Sequence, residues 1–116
     1  LFRSSQSELA ELVQFEAGES VSAVETADTL AFEIWAMLGM AREGGAPRAV
    51  SAEEFQQARA SNAPIDPALE RYLARAVAEA EASDEEPLDE EDAREVLELA
   101  RAVARAFGAL GPASDQ

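Results

Sequence analysis

Val24, Ala27, Ala31, Ile34, Leu38 and Ala41 follow one another at alternating spacings of three and four residues. That period lays them in one stripe along an α-helix; a strand would need alternation at every second residue. Val96, Leu99, Ala100, Val103, Phe107 and Leu110 make a similar stripe near the other end of the chain, and Leu69, Leu73, Ala76, Val77 and Ala80 another between them. No strand-like alternation competes anywhere. The sequence therefore predicts an all-α fold. The expected architecture is a small bundle of four to five helices around a central apolar helix at about 22–43.

Helix punctuation supports the same reading. Ser5-Gln6-Ser7-Glu8, Ser22-Ala23-Val24-Glu25 and Ser51-Ala52-Glu53-Glu54 each carry a serine and a glutamate three residues apart, the pattern of a capping box. Val50 and Phe55 flank the third box at the two positions of a hydrophobic staple. Asp66-Pro67 supplies a cap followed by proline at the first helical position, and Asp89 is placed to cap the last helix. Gly18, Gly44-Gly45 and Gly111-Pro112 are the expected stops. The chain has 116 residues, enough for one core, so a single helical domain is expected over 1–111 with a flexible tail over 112–116.

Charge narrows the function classes. Twenty-four acids face nine bases, a net charge of −15, and all nine bases are arginine. Such a field repels phosphates and anionic headgroups, so neither direct nucleic-acid binding nor membrane binding is expected. The most apolar stretch, Leu30 to Ala41 interrupted by Glu33, is too short to span a bilayer and follows no basic n-region, and a cytoplasmic protein is expected. With no histidine and no cysteine, serine–histidine and cysteine–histidine catalysis are excluded. Chemistry would have to run on carboxylates, arginines, hydroxyls or a bound metal.

Two surfaces are candidates for partner contact. Phe32, Trp35, Met37 and Met40 lie beyond the stripe of the second helix, making it apolar nearly all round. A helix of that kind is buried centrally or lends one face to another chain. Tryptophan and methionine suit adaptable interfaces as well as cores. The second candidate is the acidic segment from Glu79 to Glu98, where Asp89 to Asp92 favour a helix N-terminus. Asp84, Glu85 and Glu86 gain nothing from that dipole and are candidates for docking a basic partner.

A candidate metal site comes from spacing. Glu8 and Glu11 share a face of the first helix, and Glu25 and Asp28 share a face of the second. Folded antiparallel across Gly18, the four carboxylates would offer hard oxygen ligands to Mg²⁺ or Mn²⁺. Glu8-Leu9-Ala10-Glu11 and Glu25-Thr26-Ala27-Asp28-Thr29-Leu30-Ala31-Phe32 resemble the ExxE and ExxD segments of the all-α nucleoside triphosphate pyrophosphatase (MazG-like) superfamily, over residues 5–43. The resemblance implies a metal-dependent release of pyrophosphate from a nucleoside triphosphate, with Arg42 and Arg48 as the nearby bases for its phosphates.

Two readings follow. The preferred one is a non-enzymatic acidic helical interaction or assembly module, an adaptor, oligomeric subunit or inhibitor, bound to a protein partner or to copies of itself. No cofactor is expected under it. The alternative is the pyrophosphatase-like enzyme, with Mg²⁺ or Mn²⁺.

Overall fold

The computed structural model describes residues 6–18, 20–41, 49–61, 63–83 and 87–110, with residues 38–41 and 108–110 described through their backbone only. These residues form five α-helices and no strand: α1 Ser7–Glu16, α2 Val21–Ala41, α3 Ala52–Ala60, α4 Pro67–Glu81 and α5 Glu90–Leu110. Ser5, the stops at Gly44-Gly45 and Gly111-Pro112, and the expected tail over 112–116 lie outside the described residues.

Four of the five starts have a local cause, whereas α1 begins after Gln6, which makes no side-chain cap. At α3 the Glu54 amide donates to Ser51 Oγ at 3.1 Å and the Ser51 amide to Glu54 Oε1 at 3.0 Å, the complete capping box. The Asp92 amide donates to Asp89 Oδ1 at 2.8 Å, which starts α5 as expected. Pro67 opens α4 as its first residue, while the Asp66 side chain makes no capping bond.

The start of α2 departs from the expectation. Ser20 rather than Ser22 is the cap, its Oγ accepting from the Ala23 amide at 3.2 Å. Gly18 explains the shift. At φ +92° it turns the chain sharply after α1, so the next helix begins two residues early and Ser22 falls within its first turn. A Cβ added at Gly18 meets nothing within 4 Å, so Gly18→Ala is expected to cost only backbone strain. Urea unfolding should register that as about 1–2 kcal/mol.

Packing follows the stripes. α5 lies against α2, α3 and α4, and α1 lies against α2 and α3. Val96, Leu99, Ala100, Val103 and Phe107 are all buried, joined by Ala93, Ala102, Ala104 and Ala106. The alanines widen the buried face of α5 enough for neighbours on three sides to approach closely. On α2 the buried residues are Ala23, Ala27, Leu30, Ala31 and Ile34, and Val24 is only partly buried. That helix meets α1, α4 and α5, so it shares the central position with α5.

Charged side chains tie the outer surface. The Arg59 guanidinium on α3 donates to Glu16 of α1 at 2.8 Å and to Glu95 of α5 at 2.5 Å. Arg101 on α5 binds Glu70 of α4 at 2.6 Å and Glu98 at 2.8 Å, and Arg105 Nε donates to the Ala63 carbonyl at 2.7 Å. These pairs are partly exposed, so each contributes at most about 1 kcal/mol and serves mainly to fix orientation.

Candidate functional site

The outward face of α2 is built from what its inward face leaves over. At about 100° per residue, Val21, Glu25, Thr29, Phe32 and Ala36 fall on the side opposite Ala23, Ala27, Leu30 and Ile34. Val21, Glu25, Thr29 and Phe32 are exposed and Ala36 is half-buried. Phe32 remains 47% exposed and Met37 42%, large values for side chains on a helix that otherwise builds core. Trp35 is half-buried, packed against the core, with its ring centroid 6.1 Å from that of Phe32 at an interplanar angle of 38°. Three of the four aromatic and methionine residues expected here are thus described, two exposed and one at the edge of the core. The side chain of Met40 lies outside the described residues, as do Asp84, Glu85 and Glu86.

Acids accompany these apolar groups. Four residues along the helix from exposed Phe15, Val21, Phe32 and Met37 stand Glu11, Glu25, Asp28 and Glu33 respectively, a spacing that places each pair on neighbouring turns. Residues 6–41 contain Glu8, Glu11, Glu16, Glu19, Glu25, Asp28 and Glu33 and no base at all. The face therefore mixes Val21, Phe32 and Ala36 with Glu25, and every charged residue from 6 to 41 is an acid.

One of the four carboxylates of the expected metal site is engaged elsewhere in the fold. The Ala52 amide donates to Glu8 Oε2 at 2.9 Å, so Glu8 satisfies an N-terminal amide of α3. Glu11 and Glu25 are exposed and Asp28 is half-buried on α2. Among the described residues no group of three or more acidic side chains stands close enough to hold a metal ion. Arg42 and Arg48 lie outside the described residues.

One contact beside this face is not foreshadowed by any motif. The Tyr72 hydroxyl on α4 donates to Glu33 Oε1 on α2. That hydrogen bond, with burial and the charges of Glu33 and Glu79, pushes the Tyr72 pKa up to about 12. The folded pKa lies above the unfolded value near 10, so the contribution is complete below about pH 10 and lost as pH rises through about 12. Tyr72 is the only tyrosine of the chain. Phenolate absorbance should therefore show one transition near pH 12, and an ordinary midpoint near 10 would mean that the bond is absent in solution.

No helix among the described residues is long and apolar enough to cross a membrane. No family model matches the chain, and no curated protein or solved structure does either.

Proposed function

We propose that this chain is a non-enzymatic protein–protein interaction or assembly module that works through the outward face of α2. The observation that carries this reading is the exposure of Phe32 beside half-buried Trp35, with Met37 exposed further round the same helix. Single exposed apolar residues are ordinary, but Phe32 packed beside Trp35, with exposed Val21 on the same face, makes an apolar feature of the kind partners cover. Aromatic anchors supply most of the energy at such contacts, and the surrounding carboxylates steer partner choice.

Stability separates display from core without a partner in hand. Phe32→Ala and Met37→Ala are each expected to cost about 1 kcal/mol or less in urea unfolding, because nearly half of each side chain already meets water. A loss of about 3 kcal/mol or more from either would mean that the chain uses the residue in its own core, against the reading.

The metal-dependent alternative has its own test. With Glu8 engaged by Ala52, Mn²⁺ is expected to give no saturable titration component sensitive to Glu25→Gln. A saturable component abolished by Glu25→Gln or Asp28→Asn, together with hydrolysis of a nucleoside triphosphate, would favour the enzyme instead.

A further inference from the structure

Resting on the module reading, we infer that the outward face of α2 receives a basic amphipathic helix. Three observations on this face select that occupant. Its apolar elements form a stripe: Val21, Phe32 and Ala36 fall within about 60° around the helix with small Thr29 beside them, while Met37 lies about 140° from Phe32, beyond the Glu33 that holds Tyr72. An aromatic ridge beside small residues is a surface against which the side-chain row of another helix packs.

The charge then decides which helix. From 6 to 41 every charged residue is an acid, and Glu25 is exposed on the same face as Phe32. Arg59, which reaches toward this half of the molecule, is already held by Glu16 and Glu95. A partner helix with leucine or aromatic residues on one side and lysine or arginine beside them meets both features. A second copy of this chain does not. Pairing two such faces would set like charges against each other across a contact from which water is excluded.

Length fits as well. From Val21 to Met37 the face runs about 24 Å, so a partner of roughly 18 helical residues would cover it. Trp35, the only tryptophan, sits beside the contact and reports on it directly.

The test titrates the full chain with three designed helical peptides of roughly 18 residues, following Trp35 emission at about 0.15 M salt. One carries leucine on one face and lysine on the other, the second has alanine for leucine, and the third has glutamate for lysine. The leucine–lysine peptide is expected to bind, the other two at least about tenfold more weakly. Phe32→Ala combined with Met37→Ala should weaken the leucine–lysine peptide by about tenfold, and Glu25→Gln should flatten its salt dependence. Equal binding of the alanine–lysine peptide, or undiminished binding to the double variant, overturns the inference. So does the absence of binding. In that last case light scattering separates the two readings: self-association lost in Phe32→Ala keeps the module and discards the basic helix, whereas a strict monomer counts against both.

Discussion

Phe55→Ala is expected to lower the unfolding free energy by about 3–5 kcal/mol. Phe55 is fully buried on α3, a helix of nine residues whose other buried side chain is Ala58. A segment that short has little helical stability of its own. Its hold on α5 therefore depends on one aromatic ring and on the bonds at its ends. Truncating the ring removes most of the apolar area that α3 buries and leaves a cavity beside α5. In a domain whose total stability is of order 5–15 kcal/mol, that is a large share, and the thermal midpoint should fall by roughly 15–25 °C. Urea unfolding followed by circular dichroism measures it. A loss below about 1 kcal/mol would show that Phe55 does not anchor α3.

Gln6→Leu is expected to cost about 1–3 kcal/mol although it replaces a polar residue by an apolar one. The Gln6 side chain is completely buried, and its Oε1 accepts from the Val50 amide at 2.8 Å. Leucine fills similar space but accepts nothing, so the buried Val50 amide is left without its acceptor. Gln6→Ala should cost more, because it adds a cavity to the same loss. Hydrogen exchange at the Val50 amide distinguishes this cause from general loosening: exchange there should quicken more than at Phe55, whose amide donates to the Ser51 carbonyl in the helix.

Gln6 and Glu8 together join the start of α1 to the start of α3, their acceptors serving Val50 and Ala52. Both bonds cross 44 positions of sequence. This is why they could not be read from the chain, whereas the capping box at Ser51 and the cap at Asp89, closed within three residues, could. The stripes were legible for the same local reason, since helical period alone places Leu73 with Val77 and Val96 with Leu99. At the start of α2 the local pattern favours Ser22, which has Glu25 three residues on, and only the turn at Gly18 selects Ser20 instead.

The candidate face was legible as composition and not as geometry. Phe32, Trp35 and Met37 announce an apolar helix, but whether such a helix displays or buries them depends on where α1, α4 and α5 arrive. Their arrival leaves Phe32 and Met37 exposed and draws Trp35 to the core edge. The acidic pairs show the opposite case. Spacing puts Glu8 with Glu11 and Glu25 with Asp28, yet the start of α3 takes Glu8 for itself, a competition no local pattern encodes.

The most direct test of the display of α2 is site-specific photocrosslinking from position 32. The full chain, carrying a photoreactive phenylalanine analogue in place of Phe32, is irradiated in the cells that make it, beside a control with the probe at exposed Ala78 of α4. A discrete cross-linked protein is expected from position 32 that is missing from position 78 and lost when Met37→Ala is added. Identical products from both positions, or none from position 32, would contradict it.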